Sequence, residues 1–419
     1  MRKKLLMIVL CASSLVGYGQ EISLEKCQEM ARLNHPTLKQ SGVIDQLAAL
    51  RTKSIESSNL PQIDLTGRAT YQSEVTMLNV PIPGFKPTTL SKDQYKMYVD
   101  VKQKIYDFGM TKNRTLVEES DRKIAQQQNE TDLYKLKETV NSLYFQVLIL
   151  QENERIIVLK NKLLDQRISI IGSAVKNGIT QLNDLDNLKS ERLLSEQQLI
   201  EIKAGMETTV DLLQIITGQS LSTETTFSIP TTLLSDNNST GNRPELKLFA
   251  QQKEKLDASS KLLANSKLPN IYAFGQVGYG RPGLNMLNNS FNDWYLMGIG
   301  LSWNLWDGNK SKHDKSVLQN QKQIIDIQQE NFNRIVELAL VQERNQAEKL
   351  AKLIETDQQV MQLKENIAKR SASALDNGTI TSADYLRDLN ASLQSKIALS
   401  IHKIQQIQSF ENSKIIHGK

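Results

Sequence analysis

The sequence predicts a mainly α fold with a small β part, built as two tandem structural repeats of long antiparallel coiled-coil helices and short strands. Three observations carry this. Motifs return at a fixed spacing along the 419 residues. Each copy holds two stretches in which apolar and polar residues alternate. Long proline-free runs carry apolar residues at seven-residue spacing.

The repeat comes first. Asn34-His35-Pro36-Thr37-Leu38-Lys39 returns as Asn242-Arg243-Pro244-Glu245-Leu246-Lys247, Leu60-Pro61-Gln62-Ile63 returns as Leu268-Pro269-Asn270-Ile271, and Gly67 returns as Gly275. All three share an offset of 208 residues, whereas Tyr106-Asp107 matches Trp306-Asp307, and Asn177-Gly178 matches Asn377-Gly378, at an offset of 200. A longer loop between residues 72 and 95 of the first copy accounts for the change. The copies span 20–217 and 242–419, joined by a linker over 218–241 rich in Ser, Thr and Asn. Each copy predicts a helix of about 25 residues entered through Asn-x-Pro, where Pro suits the first helical turn. A β-hairpin follows (60–107 and 268–307), and then a long helical hairpin (110–217 and 308–415).

Residues 63–71, 97–105, 271–279 and 295–305 predict the strands. Ile63, Leu65, Val99, Val101, Ile271, Val277, Met297, Ile299 and Leu301 share odd parity, against Asp64, Thr66, Asp100, Lys102 and Ser302 at even positions. Period-two patterning gives one apolar and one polar face, and runs of about ten residues match a tilted outer-membrane strand. Tyr71, Tyr98, Tyr106, Trp294, Trp303 and Trp306 stand near the strand ends and suit an interfacial girdle. Two amphipathic hairpins packed on helices in a soluble domain would show the same alternation. The loop carrying Pro81, Pro83 and Pro87 suits an outside-facing segment. Four strands cannot close a barrel, and open edges are not tolerated in lipid. Spanning therefore requires several chains; two supply about 8 strands and three about 12, and only the latter leaves a lumen wider than side chains fill.

No proline occurs between Pro87 and Pro230 or after Pro282. Residues 110 to 176 read as one helix, roughly 100 Å long at ~1.5 Å per residue. Leu133, Leu136, Val140, Leu143, Val147 and Leu150 step three and four, and Ile157, Leu164 and Ile171 continue at seven. In the second copy Leu318, Ile325, Phe332, Ala339, Leu353, Val360, Ile367 and Ala374 share a heptad register. The hairpins turn at the two Asn-Gly pairs, where Gly takes the left-handed conformation that ends helices. Thr381-x-x-Asp384 reads as a capping box.

Composition bounds the rest. A net charge of +5, scattered without a basic block, argues against nucleic-acid binding. Met1 to Gly19 reads as an export signal, with Arg2, Lys3 and Lys4 ahead of a dozen apolar residues. One cysteine, Cys27, follows it, so no intramolecular disulfide is expected. His35, His313, His402 and His417 show no ligand spacing, and no phosphate loop or nucleophile motif appears. No enzyme activity, catalytic residue, metal or cofactor is expected.

These residues together resemble the TolC family of outer-membrane efflux proteins. The resemblance rests on Ile22-Ser23-Leu24-Glu25-Lys26-Cys27 with Asn34-His35-Pro36, the Leu-Pro strand entries, and Tyr106-Asp107-Phe108-Gly109 with Trp306-Asp307-Gly308. It rests also on Leu375-Asp376-Asn377-Gly378-Thr379-Ile380-Thr381 and Asp384-Tyr385-Leu386. It implies a homotrimer in the outer membrane with a 12-stranded transmembrane β-barrel and a long periplasmic α-barrel. It implies porin-like transport as the exit duct of a tripartite efflux or type I secretion system. The partners would be a periplasmic membrane-fusion adaptor and an inner-membrane transporter of RND, ABC or MFS type. A soluble periplasmic coiled-coil or adaptor protein is the alternative.

Two groups of site residues follow. The tips Asn177, Gly178, Ile179, Thr180, Asn377, Gly378, Thr379, Ile380 and Thr381 either meet an adaptor or serve only as helix stops. Asp184, Asp384, Arg387 and Asp388 are candidates for a periplasmic gate. The family's Leu-Gly or Val-Gly tip is Asn-Gly here, and its second entrance carboxylate is replaced by Arg387. Asp384 either joins a ring of like charge around a trimer axis or completes the capping box with Thr381. Arg387 could pair with it and hold the entrance closed.

Overall fold

The computed structural model describes residues 21–76, 90–231 and 242–419. The export signal, the Pro81–Pro87 loop and part of the linker lie outside them. In chain order the elements are α1 (Leu24–Asn34), α2 (Thr37–Ser57), β1 (Gln62–Tyr71), β2 (Asp93–Tyr106), α3 (Met110–Lys176), α4 (Leu182–Thr217), α5 (Pro244–Asn265), β3 (Asn270–Arg281), β4 (Asn292–Ser302), α6 (Lys310–Asp376) and α7 (Ser382–Ile416). The described residues are mostly helical, with one small antiparallel sheet. Both long helices run for 67 residues, as the absence of proline allows.

The compact units are not the repeats. One gathers the chain up to Leu38 with Thr131–Arg243 and Asn333–Lys419; the other gathers Lys39–Glu130 and Pro244–Phe332. Each draws on both copies, because the hairpins of the two copies pair with each other in one sheet and the helical hairpins pack together elsewhere.

The sheet has the order β1-β2-β3-β4, all antiparallel. Its register places odd-numbered residues of the four strands on one face, as in the row Leu65, Val99, Val277, Tyr295. A bulge between Lys104 and Tyr106 ends the regular alternation of β2. The odd face is apolar and open: Ile63, Val277, Met297 and Ile299 are 58% to 78% exposed. The expectation that β4 runs to residue 305 is corrected. The ladder stops at Ser302, opposite the first residue of β3, so Trp303, Leu305 and Trp306 have no strand to pair with. Trp303 instead donates its indole N–H to the Lys267 carbonyl, 3.0 Å away, beside the turn into β3.

Each long helix starts on a matched turn. Phe108 and Gly109 have φ of 51° and 86°, and Gly308 and Asn309 have φ of 64° and 67°. The aspartate before each turn then caps the helix. The backbone N–H of Thr111 donates to Asp107 Oδ2, and that of Ser311 to Asp307 Oδ2, both at 2.9 Å. The repeated Tyr-Asp and Trp-Asp motifs are thus helix starts, built from a carboxylate where the helix dipole favours negative charge.

In the other unit two cores form. Leu24, Cys27, Ala31, Val140, Tyr144, Phe145, Val147, Met206, Val210, Leu213 and Phe227 make the first. The chain near Ile22 docks there as a strand-like bridge to Phe227, and the buried Tyr144 hydroxyl lies 2.7 Å from the carbonyls of Ile22 and Ser228. The second core, near the hairpin turns, holds Ile156, Leu164, Ile171, Leu188, Leu375, Tyr385, Leu386, Leu389 and Leu393. The α3 heptad is buried as expected at Leu133, Val140, Val147, Ile157, Leu164 and Ile171. The α6 heptad is corrected. Leu353, Val360 and Ile367 stay 37% to 40% exposed, and Ala347, Leu350, Ala368 and Leu375 are buried in their place. The helix carries two apolar seams, and the buried one ends at Leu375 in the core it shares with Tyr385, Leu386 and Leu389 of α7.

The helices entered through the two Asn-x-Pro motifs are α2, of 21 residues, and α5, of 22, close to the expected length. The Asn-x-Pro motif separates α1 from α2, since the residue before proline is driven out of the helical region: His35 has φ −68° and ψ 131°.

Candidate functional site

Both helical hairpins turn through the same backbone motif. Gly178 and Gly378 have φ of 73° and 68° and open space where a Cβ would stand. In the first tip Ile179 N–H donates to Ala174 O at 2.9 Å, and in the second Thr379 N–H donates to Ala374 O at 2.9 Å. This six-to-one closure satisfies carbonyls that the ending helix leaves bare. Asn177, Gly178, Asn377, Gly378 and Thr379 are exposed at the turns.

The side chains of the two tips differ. Ile179 is 77% exposed, while Ile380 packs against the core around Leu375 and Tyr385. Thr180 donates to Asp184 Oδ2 at 3.1 Å. Asp184 then reaches out of its own repeat. Its Oδ1 accepts the backbone N–H of Ser382 at 2.9 Å, at the first turn of α7. Burial opposes the charged form, but the Ser382 N–H and hydroxyl and the Thr180 hydroxyl outweigh it and hold the Asp184 carboxyl below its ordinary value.

Asp384 closes the capping box with Thr381. Its N–H donates to Thr381 Oγ1 at 3.2 Å, and the Thr381 N–H and hydroxyl donate to Asp384 Oδ2 at 3.4 and 2.8 Å. The Thr381 hydroxyl, its N–H and the Arg387 guanidinium keep the Asp384 carboxyl below its usual range. Arg387 lies 3.1 Å from Asp384 and 3.6 Å from Asp388, with its side chain 70% exposed. Asp388 also accepts from Ser371 of α6. The α7 start therefore receives two carboxylates, one from each repeat, whereas Gln181 gives the α4 start no side-chain cap.

A cap taken from the other repeat has a measurable worth. Asp184→Ala is expected to lower stability by about 1 kcal/mol at neutral pH, the usual value of a helix cap. The Asp184 carboxyl is depressed in the folded chain, so its contribution is present above the ordinary carboxylate range and fades as pH falls through the depressed value. Chemical denaturation at neutral and acid pH should show parent and variant converging in acid.

A cleft of about 710 Å³ opens beside these residues between α3, α6 and α7, with Leu163, Arg167, Lys369, Tyr385 and Lys396 among its walls. Arg167 lies 5.4 Å over the Tyr385 ring and also pairs with Asp376, so one cation ties α3 to the end of α6 and the start of α7.

The even face of the sheet forms the second candidate surface. Directly paired positions give rows across the strands. Arg68, Lys96, Gly280 and Asn292 form one, Thr66, Tyr98, Gly278 and Trp294 the next, and Asp64, Asp100, Gln276 and Leu296 the third. This face is less open than the odd one. Asp100 is 7% exposed, accepts from Gln276 at 2.9 Å and pairs with Lys102 at 3.0 Å. Tyr98 and Trp294 therefore do not join an outer girdle: even parity turns both to the polar face. A Cβ on Gly278 would lie 2.6 Å from Tyr98 and 2.7 Å from Trp294, so glycine is what lets the two rings meet, with centroids 5.7 Å apart. Tyr272 covers Gly300 and Phe274 covers Gly298 in the same way.

Among the described residues no helix is long and apolar enough to cross a membrane, and no group of three or more His, Cys, Asp or Glu side chains could hold a metal ion.

Residues 28–219 match the family model described as "Outer membrane efflux protein". No curated protein matches the sequence. The fold is similar to that of solved outer-membrane channels. The CmeC outer membrane channel of Campylobacter jejuni superposes with a TM-score of 0.68 at 16% identity, covering 94% of this chain and 85% of that one. The outer membrane protein VceC of Vibrio cholerae gives 0.68 at 15% identity, covering 94% and 96%. The outer-membrane channel OprN gives 0.71 at 12% identity, covering 94% and 89%.

Proposed function

We infer the working parts of an outer-membrane exit duct for an efflux system from a chain whose residues 28–219 match the outer membrane efflux protein family and whose fold is that of outer-membrane channels. The family and the structural neighbours are channels rather than enzymes, and the trimeric outer-membrane channel is the assembly the family implies. The observation that carries the reading is the sheet. Its odd face is apolar and open, its even face is polar, and β1 and β4 are edges in a single chain. Lipid accepts only a closed barrel, so the four strands of one chain need those of other copies. Three chains give about 12 strands and a lumen that the even face would line. The half-exposed α6 seam at Leu353, Val360 and Ile367 supports the same reading, as a surface for a neighbouring copy.

The exposed tips are the adaptor-facing ends in this reading, and Ile179 is their most open apolar side chain. An adaptor linked to an RND, ABC or MFS pump in the inner membrane would meet Asn177 to Thr180 and Asn377 to Thr381. At the entrance Asp184 and Asp384 are occupied as caps. Arg387, paired with Asp384 and Asp388 but with its side chain 70% exposed, is the group that would face across a trimer axis. The duct reading predicts that the protein fractionates with the outer membrane as a heat-sensitive trimer and conducts in planar bilayers. A monomer recovered in the soluble periplasmic fraction would favour a coiled-coil adaptor instead. Within the duct reading, Ile179→Glu is expected to abolish export of cargo at unchanged trimer abundance. Normal export would leave the tips as helix stops only.

A further inference from the structure

The even face of the sheet places two like charges side by side. Arg68 and Lys96 are directly paired across β1 and β2, and the row is completed by Gly280 and Asn292. No carboxylate of the described residues lies within ion-pair distance of either cation. Like charges directly opposite each other on a sheet destabilise it, and a local conflict of this kind marks a surface kept for something other than stability. The other cations of this face are engaged: Lys102 pairs with Asp100, and Lys104 lies 3.7 Å from Asp107.

The neighbouring row carries Tyr98 and Trp294, drawn together over Gly278. Two residues along a strand separate the rows, about 7 Å at the rise of an extended chain. The long Arg68 and Lys96 side chains can reach across that distance to an acid group carried on a ring stacked at the neighbouring row. Rings on a glycine floor stack a planar molecule on their open faces, and a guanidinium and an ammonium beside them take its negative group. In a closed barrel each chain adds the same pair of rows, so cations and rings recur around the lumen.

We propose that the even face forms a lumenal site for aromatic anions, with Arg68 and Lys96 holding the acid groups and Tyr98 and Trp294 stacking the ring. The inference rests on the reading of this sheet as part of a barrel with that face inward. It makes aromatic acids a favoured class of molecule in the channel and gives the duct a selective element of its own.

The test uses the purified full chain in planar bilayers, with pyrene tetrasulfonate added on the barrel side and citrate as a non-aromatic anion. The parent current should be blocked by pyrene tetrasulfonate at lower concentration than by citrate. Arg68→Gln with Lys96→Gln should raise the half-blocking concentration of both anions by roughly tenfold or more, the factor for about 1.4 kcal/mol of lost contact. Tyr98→Leu with Trp294→Leu should weaken block by pyrene tetrasulfonate and leave citrate unchanged. Unheated gels establish that each variant is trimeric. If the leucine pair fails to assemble, the cation pair alone decides. Conducting parent channels that pyrene tetrasulfonate does not block, or equal block of parent and cation variant, overturn the site and leave the duct reading standing. A parent that opens no channel overturns both.

Discussion

Val277→Arg and Ile299→Arg are each expected to destabilise the membrane-inserted trimer by about 2–4 kcal/mol near the bilayer midplane. Val277 sits in the row Leu65, Val99, Val277, Tyr295 and is 58% exposed; Ile299 is 78% exposed. In one chain these side chains touch little, so a soluble protein would tolerate arginine there within about 0.5 kcal/mol. In lipid the same replacement puts an uncompensated charge into hydrocarbon. Asp64→Arg is the control, because Asp64 lies on the even face directly opposite Asp100, where a cation gains a partner. Urea titration of the inserted protein in lipid vesicles measures all three. Equal tolerance at both parities would remove the barrel.

Much of this sheet was legible because a strand has a period of two: odd and even positions sort themselves without any knowledge of partners. The helices were legible for a related reason, since a 67-residue run without proline leaves few alternatives. What could not be read is pairing. Tyr98 and Trp294 stand near strand ends and suit a girdle by position, while their parity puts them on the other face. The signal was present in Gly278, Gly298 and Gly300, all even, but it acquires meaning only once the register sets each against a ring. In α6 both apolar seams have helical spacing, and periodicity does not say which one meets α7. The Asp184 cap joins residues 198 positions apart in different repeats, and no local pattern links a carboxylate to a helix start at that distance. The tips were located by their Asn-Gly pairs, yet the contrast between exposed Ile179 and packed Ile380 arises from the core beneath them.

The last expected result concerns a charge in the helical unit. Lys160 of α3 has its side chain 7% exposed and lies 2.7 Å from Glu191 of α4, which is 17% exposed. Asn390 of α7 donates to the same Glu191 oxygen at 2.9 Å. Three helices from both repeats thus share one half-buried carboxylate. Burial alone would raise the Glu191 pKa, but the Lys160 ammonium and the Asn390 amide outweigh it and hold the carboxyl below its ordinary value. Removing one partner of such a pair leaves an uncompensated charge, so Lys160→Met is expected to cost about 3 kcal/mol at neutral pH. Lys160→Met with Glu191→Gln should recover most of it, because the amide still accepts from Asn390 and no buried charge remains. The two proteins should also respond to acid in opposite directions. In the parent, Glu191 stabilises above the ordinary carboxylate range, and the contribution is lost as pH falls through its depressed pKa. In Lys160→Met the burial effect is the larger, the carboxyl titrates higher, and mild acid relieves the variant by neutralising it. Unfolding by denaturant at about pH 7 and about pH 5 reads the difference, with the ordinary glutamate range near 4.3 lying below both. A Lys160→Met variant as stable as the parent at both pH values would mean that water or a neighbouring copy reaches Glu191, and that these helices are held together by their leucines alone.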